Sequence, residues 1–255
     1  MRDSSFDLKA PWTDHIKELR RRLLWIVTFF VFGFSISYSK SDSLLAWLSA
    51  PLLKNDETSP THLLFLGLTD AFTGYLKIAF WGGIVVSLPI LAFQVWNFIS
   101  PGLKKEEKKV LKPFLYFSPI LFLFGSLFAY YFVLPLAWSF FLSFQDKTLP
   151  LPLVFEANLN DYLSLTLSFL LSFGLCFEFP LVLIAFYRLN LLSSKTLIKS
   201  RKYAVIIIFI VAAILTPPDV LSQVFLALPL LVLYEGSIWY IFRLEKNNVD
   251  NPNIK

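Results

Sequence analysis

The sequence predicts an all-α integral membrane protein, a single polytopic domain over residues 1–255 with six transmembrane helices. Three observations predict this class. Of the 255 residues, 56% are hydrophobic and 16% are charged, whereas a soluble domain carries about 25% charged residues. The apolar residues collect in runs long enough to span a bilayer. The segments between those runs are alternately rich and poor in Lys and Arg.

A spanning helix needs roughly 20 apolar residues, because the hydrocarbon core is ~30 Å thick and a helix rises ~1.5 Å per residue. The first apolar run follows a charged segment, 1–22, and is too long for a signal-peptide core, so we expect a retained anchor. The predicted spans are 23–39, 78–99, 113–143, 162–187, 203–215 and 220–242.

The fifth run, 203–215, is shorter than a full span and is ended by Pro217-Pro218. The last two runs could therefore cross the membrane, or they could form a re-entrant hairpin that enters and leaves on one face. Charge counting does not separate these alternatives, because both return the C-terminus to the same side. We favour six crossings.

The positions of Lys and Arg predict the orientation. Of the 23 Lys and Arg residues, four lie in 40–77 and 144–161, and the other 19 lie in 1–22, 100–112, 188–202 and 243–255. Cytoplasmic loops are enriched in Lys and Arg, so both termini are expected in the cytoplasm. No transit peptide is visible, which favours a bacterial inner membrane. Between the first two spans, helix spacing at 44–48 and the run 63–68 predict short interfacial helices.

The residue types present argue against an enzyme. The predicted topology puts His15 and His62 on opposite faces, so the two histidines cannot share a metal or serve one nucleophile. Cys176 is the single cysteine and lies in an apolar run, which excludes a disulfide framework and a cysteine-based metal site. No HExxH, GxSxG, P-loop or paired intramembrane aspartate occurs. We expect no catalytic residues, no metal and no cofactor.

Two carboxylates stand at the predicted cytoplasmic end of the bundle. Glu18 precedes the first span and is spaced to pair with Arg21 and Arg22 at i+3 and i+4. Glu107 follows Pro101, where the second span is broken, and lies among four lysines. From the residues alone, solvated cytoplasmic segments would explain both stretches.

Glu178 is a carboxylate in the middle of an apolar run. A charge at the bilayer centre costs roughly 2.5–3.5 kcal/mol on insertion scales, so we expect this acid to face the bundle interior, paired or protonated. Gly174 lies one turn earlier and permits close approach of another helix, while Pro180 frees the backbone carbonyl of Cys176. A functional role is favoured over packing alone.

Two more polar residues flank the start of the last span. Asp219 is placed to cap that helix, which would by itself explain it. Gln223, one turn further, brings an amide into an apolar stretch. Glu235, near the other end of the same run, can reach the membrane interface along its own side chain.

Four stretches occur in order across almost the whole chain: "HIKELRRRL" (15–23), "QVWNFISPGLKKEE" (94–107), "FGLCFEFP" (173–180) and "ILTPPDVLSQ" (214–223). With them the chain resembles the TatC family, the large receptor subunit of the twin-arginine protein translocase. The resemblance implies six transmembrane helices in a cupped bundle, with both termini cytoplasmic and the last two helices short.

The resemblance also implies a function. The family binds folded precursor proteins through their twin-arginine signal peptides and starts their export, which the proton-motive force drives. The implied partners are those signal peptides, small single-span subunits of the TatA and TatB type, and further copies of the chain. No nucleic acid is expected. The family's acids implicated in twin-arginine recognition are matched by Glu18 and Glu107, and the positions that shape the same cytoplasmic site by Phe98 and Pro101.

Glu178 matches the family's intramembrane acid on the concave face. Asp219 and Gln223 match polar positions associated with partner docking. The chain departs from the family pattern at 67–72, and Glu106 adds an acid beside the matched one. The alternative function is a small proton-coupled transporter that uses Glu178 as its proton carrier, although no internal repeat of that segment is visible.

Overall fold

The computed structural model describes residues 12–53, 63–64, 66–144, 157–215 and 220–250, and nearly all of them are helical. The helices are α1 (Trp12–Ser39), α2 (Ser41–Leu53), α3 (Asp70–Ile99), α4 (Lys105–Leu111), α5 (Phe114–Phe128), α6 (Leu134–Leu142), α7 (Leu159–Phe177), α8 (Phe179–Arg188), α9 (Ser194–Lys199), α10 (Arg201–Leu215) and α11 (Val220–Asp250). A π-helical turn at Ala129–Val133 joins α5 to α6. Two short strands, β1 (Leu63–Leu64) and β2 (Ala157–Asn158), pair in parallel.

Within the described part of the chain, five helical segments are long and apolar enough to cross a membrane, judged by length and composition. They are Ile16–Ser39, Asp70–Gly102, Lys105–Leu142, Leu159–Arg188 and Gln223–Lys246. The molecule is therefore an all-α, multi-pass membrane protein, as the composition predicted. The short run 203–215 lies within α10, which has 15 residues and is not among those five segments. The sixth crossing and the orientation stay predictions.

The two ends of the bundle are distinguished below by the short helix that each carries, as the α2 end and the α4 end. α1 lies along α3, and one face of α1 carries exposed apolar side chains such as Val31 and Phe32. The two helices approach closely at Gly82 of α3, where an added Cβ would lie 2.1 Å from the Ser37 Oγ. Such a crossing of small residues is typical of helices packed inside a bilayer.

The core of the bundle forms where α7 packs between α3, α5 and α11. Large buried rings fill it, among them Phe122 of α5 and Phe169 and Phe173 of α7. A buried hydroxyl in this region has a main-chain partner: the Ser126 Oγ donates to the Leu170 carbonyl oxygen at 2.9 Å. An unpaired polar group would be costly in hydrocarbon, so this bond adds specificity to the contact between α5 and α7.

The helix predicted at 44–48 is present as α2, and two tyrosines hold it on the bundle. Pro51 inside α2 has no backbone N–H to donate to the Trp47 carbonyl. The Tyr130 hydroxyl donates to that carbonyl at 2.6 Å, and its ring stacks on Trp47 with 4.1 Å between centroids. The Tyr162 hydroxyl donates to the next carbonyl, that of Leu48, also at 2.6 Å.

The helix predicted over 63–68 is wrong. Residues 63–64 form β1, which pairs with Ala157–Asn158, and a turn leads from there into α3. The Asp70 Oδ2 accepts the backbone N–H groups of Leu66 at 2.9 Å and Gly67 at 2.7 Å. This local side-chain bonding fixes a turn, which competes with helix at a position where apolar content alone suggested one.

Candidate functional site

At the α4 end, Glu18 of α1 is joined to α3 through Arg22. The Glu18 carboxylate forms an ion pair with the Arg22 guanidinium one turn later, so the predicted i+4 pair is present. A second nitrogen of Arg22, Nη1, lies 3.5 Å from the Gln94 Oε1 on α3. The Arg22 side chain is only 14% exposed and that of Glu18 31%. Arg21, the other predicted partner, is exposed.

The chain leaves α3 through a tight turn that contains two of the predicted site residues. Phe98 is half-buried in the last turn of α3. Pro101 is exposed within the 3-10 turn Ser100–Gly102, which the Leu103 N–H closes by donating to the Ser100 carbonyl at 3.2 Å. The break predicted at Pro101 is therefore present, and it turns the chain from α3 into α4.

Glu107 lies in the first turn of α4 and binds the start of its own helix. Its Oε2 accepts the backbone N–H of Lys104 at 2.9 Å. A carboxylate in the first turn also interacts favourably with the positive end of the helix dipole. Glu107 is half-buried, whereas Glu106 is exposed. The buried Leu111 ends α4, which packs against α8.

The arrangement places four predicted residues, Glu18, Phe98, Pro101 and Glu107, at one end of the bundle around the end of α3. Both carboxylates have internal donors there, an arginine for Glu18 and a main-chain N–H for Glu107. A carboxylate offers about four lone-pair sites, so one main-chain bond leaves Glu107 able to accept a bidentate arginine. The two carboxylates can therefore bind cationic groups.

Glu178 stands at the break between α7 and α8. Its own N–H donates to the Leu175 carbonyl at 3.1 Å, and Pro180 occupies the first turn of α8. The carboxyl group is half-buried and interacts with the Ser118 hydroxyl of α5. This contact agrees with the expectation that the acid faces the protein interior. Its partner, Ser118, was not predicted from the sequence.

Gly174 brings α7 close to α5 just before that break. A Cβ added there would lie 2.7 Å from the Phe122 ring, and one at Gly125 of α5 would lie 2.5 Å from the Phe173 carbonyl oxygen. The close approach expected at Gly174 is therefore present. It locks the position of the α7 segment that ends at Glu178.

Glu178 also borders a cavity of about 520 Å³ between the α7–α8 break, α10 and α11. Its walls are mostly apolar, with Phe179, Ile207 and Leu230 among them, and Tyr203 and Tyr234 contribute rings. An acid at the margin of an apolar cavity can donate or accept a hydrogen bond when another helix enters.

Gln223 uses its amide inside the bundle. Its Nε2 donates to the Phe209 carbonyl of α10 at 2.9 Å, which ties α11 to the helix beside it. Asp219 lies outside the described residues. Glu235 forms an exposed ion pair with Arg201, at 2.6 Å between Nη2 and Oε2. This contact between α10 and α11 was not expected from the sequence.

Among the described residues, no group of three or more His, Cys, Asp and Glu is placed to hold a metal ion. Gln94 lies inside a quoted motif but was given no role in the sequence analysis. The available signal was an amide side chain in the apolar second half of α3.

Comparison with known proteins gives a consistent result. Residues 14–229 match the family model described as Sec-independent protein translocase protein (TatC). A protein named Sec-independent protein translocase protein TatC from Rickettsia prowazekii (strain Madrid E) is 44% identical over 225 residues, covering 88% of this chain and 90% of that protein. The protein of the same name from Magnetococcus marinus is 38% identical over 244 residues, covering 95% and 88%.

The chain is also similar to solved structures of TatC proteins. The crystal structure of a twin arginine translocase receptor, TatC, in DDM superposes with a TM-score of 0.77 at 34% identity and covers 89% of this chain and 99% of that one. A second crystal structure of the receptor gives a TM-score of 0.76 at 35% identity, with coverage of 88% and 96%.

Proposed function

The chain belongs to the TatC family of Sec-independent protein translocase components, and from this we propose that it binds the twin-arginine signal peptides of folded precursor proteins. Small single-span subunits of the TatA and TatB type would assemble with it and with further copies of the chain. Export would be driven by the proton-motive force across the cell inner membrane, with both termini cytoplasmic. The chain itself would carry out no catalysis.

The observation that carries this proposal is the position of Glu18 and Glu107 around the same end of α3. Each carboxylate can accept two parallel hydrogen bonds from one guanidinium group, so two carboxylates at one end of the bundle suit a pair of arginines. Phe98 and Pro101 shape the turn between them. One signal-peptide arginine would exchange with Arg22 on Glu18, and the other would bind Glu107 without displacing the Lys104 N–H.

Inside the membrane, we assign Glu178, Asp219 and Gln223 to contacts with the signal peptide or a partner helix. The cavity beside Glu178 supports this assignment for Glu178 alone, because it offers apolar walls and one carboxyl group. Membership of the translocase family favours this role over a small proton-coupled transporter that uses the same acid.

The test is photocrosslinking of a twin-arginine signal peptide to the full-length protein. Glu107→Gln keeps the shape of the side chain but removes its charge, so we expect clearly weaker crosslinking. Glu106→Gln is the matched control, since it removes a neighbouring exposed charge, and we expect it to crosslink as the wild type does. Size-exclusion profiles of both variants in detergent report whether the fold is intact.

Two results would count against the assignment. Unchanged crosslinking in Glu107→Gln would remove Glu107 from the site. Weak crosslinking in Glu106→Gln with normal crosslinking in Glu107→Gln would transfer the role to Glu106. A peptide with both arginines replaced by lysine should crosslink weakly to every variant, because lysine lacks the bidentate fork.

A further inference from the structure

A polar cluster joins α3 to α7 at the α2 end, far from the site described above. The Asn160 Nδ2 donates to the Asp70 Oδ1 at 2.8 Å and to the Thr73 Oγ1 at 2.9 Å. Lys77, one further turn along α3, reaches the same asparagine. The translocase role proposed above assigns nothing to this cluster.

The Lys77 ammonium is held entirely by neutral oxygen atoms. Its Nζ donates to the Ser164 Oγ at 2.8 Å, to the Asn160 Oδ1 at 3.0 Å and to the Asn160 carbonyl oxygen at 3.3 Å. Among the residues that the structure describes, no ion pair joins Lys77 to a carboxylate. Asp70 acts on it only across Asn160, and the Asp70 oxygens already accept from Leu66, Gly67 and Asn160. These bonds orient the ammonium without a direct counter-ion.

Lys77 also lies within a membrane-spanning segment. It is seven residues into Asp70–Gly102, or about 10 Å along the helix axis from Asp70. A lysine this close to the end of a spanning segment can bring its ammonium to the interface. The charge distribution predicts that this end faces out of the cytoplasm, which puts Lys77 near the outer headgroup layer.

A groove of about 430 Å³ begins at Lys77 and runs between α3 and α7. We call it the Lys77 groove. Its walls include Leu76, Phe80, Trp81, Leu167, Ser168 and Leu171. Phe80 is 52% exposed, so the groove opens at the surface of the bundle. A cation therefore stands at one end of an apolar channel.

We propose that the Lys77 groove binds one anionic phospholipid, with its phosphate on the Lys77 ammonium and one acyl chain along the apolar walls. The phosphate oxygen takes the N–H of the longest bond, the one to the Asn160 carbonyl. Basic pockets between transmembrane helices bind phospholipid headgroups on the cytoplasmic side, and the same attraction between an ammonium and a phosphate acts at this end of the bundle. A helix about 10 Å across fills on the order of 400 Å³ per turn, so the groove would seat only a single turn of a partner helix.

The test is native mass spectrometry of the full-length protein in mild detergent, titrated with dioleoyl phosphatidylglycerol. Dioleoylglycerol, which has the chains without the phosphate, and glycerol phosphate, which has the phosphate without the chains, are the matched ligands. We expect one phosphatidylglycerol to bind more tightly than either. Lys77→Gln should weaken binding about fivefold, which corresponds to roughly 1 kcal/mol per lysine near a headgroup. Lys77→Arg should keep most of the wild-type affinity for phosphatidylglycerol.

Two further variants separate the site from general effects. Lys40→Gln removes an exposed lysine at the same end of the bundle, and its affinity for phosphatidylglycerol should equal that of the wild type. Ser168→Phe fills the groove without changing any charge, and it should weaken binding even if Lys77→Gln fails to fold.

Equal affinity of the wild type, Lys77→Gln and Ser168→Phe for phosphatidylglycerol would overturn the proposal. So would equal binding of dioleoylglycerol and phosphatidylglycerol. A photoreactive residue at position 168 that crosslinks to a protein and not to lipid in native membranes would assign the groove to a partner helix instead. None of these results depends on signal-peptide binding.

Discussion

Tyr162 links the core of the bundle to its α2 cap. The side chain is 2% exposed, its ring stacks on Trp138 with 4.9 Å between centroids, and its hydroxyl donates to the Leu48 carbonyl. One residue thus combines apolar packing with a polar bond to a second element. Burial of the ring fixes where the hydroxyl points, so the bond selects one position for α2.

Tyr162→Phe tests that bond. The variant keeps the ring but leaves the Leu48 carbonyl with one donor fewer, and we expect a loss of about 1 kcal/mol in the free energy of unfolding. Thermal unfolding in detergent should show a lower midpoint than the wild type. The control is Tyr116→Phe, whose side chain is 64% exposed on α5 and whose midpoint should not move. Equal midpoints for both variants would mean that the bond contributes nothing.

The packing of α7 against α5 depends on the absence of a single atom, the Cβ, at Gly174. Gly174→Ala would force a Cβ to 2.7 Å from the Phe122 ring, and overpacking of this kind costs about 1–3 kcal/mol. Gly236→Ala on α11 is the matched control, because no atom lies within 4 Å of its added Cβ. We expect the first variant to lower the unfolding midpoint and the second to leave it unchanged or raise it.

A compensating change sharpens this prediction. Phe122→Leu removes much of the ring that the new methyl group would meet, so the double variant should recover part of the loss seen in Gly174→Ala. A Gly174→Ala protein as stable as the wild type would contradict the close packing of α5 and α7 at this point.

At the scale of elements, α9 depends on α11 for its first turn. The Glu245 carboxylate of α11 accepts the Ser194 backbone N–H at 2.8 Å and also the Ser194 hydroxyl. A six-residue helix is too short to be stable alone, so this contact positions α9. The Arg201–Glu235 pair also joins two elements, but both side chains are about half exposed, and such pairs contribute little.

The two glutamates therefore differ in their expected effect. Glu245→Ala removes an acceptor for two donors and should speed hydrogen exchange of the backbone amides of Ser194–Lys199. Glu235→Ala should leave that exchange close to the wild-type rate. Hydrogen-exchange mass spectrometry of the two purified variants makes the comparison, and equal exchange in α9 would contradict the role of Glu245.

For the whole molecule, the sequence predicts well what depends on local composition. Apolar runs give the long helices, and the Pro101 break is read directly from the residue type. The contacts between helices at the candidate sites could not be predicted in this way. Gln94 contacts Arg22, and Ser118 contacts Glu178, each from a separate helix. No periodicity along one helix encodes such partners, so they follow only once the helices are packed.

The 63–68 error has a related cause. Its apolar content is compatible with a helix, but β1 pairs with β2, which lies some ninety residues later in the chain. Pairing over that distance, together with the Asp70 turn, outweighs a local preference. The physics of the residues left two topologies open for the last two runs, and the resemblance to TatC proteins implies six crossings.

Those two topologies give a prediction for the whole chain. With 15 residues, α10 is about 22 Å long, shorter than the ~30 Å hydrocarbon core, so crossing would require local thinning of the bilayer. Six crossings put the junction of α10 and α11 on the face away from the cytoplasm, whereas a re-entrant hairpin keeps it within the membrane or on the cytoplasmic side. Val220, the first residue of α11, is 77% exposed and is a suitable place for a probe.

In a Cys176→Ser background, we expect Val220→Cys to react with a membrane-impermeant maleimide added to intact cells, because six crossings leave it outside. Lys40→Cys should react under the same conditions and Lys104→Cys should not, which calibrates the two faces. Both residues are exposed, so accessibility of the side chain does not limit either control. Protection of Val220→Cys while Lys40→Cys reacts would establish the re-entrant hairpin, and it would also place Asp219 out of reach of any partner on the outer face.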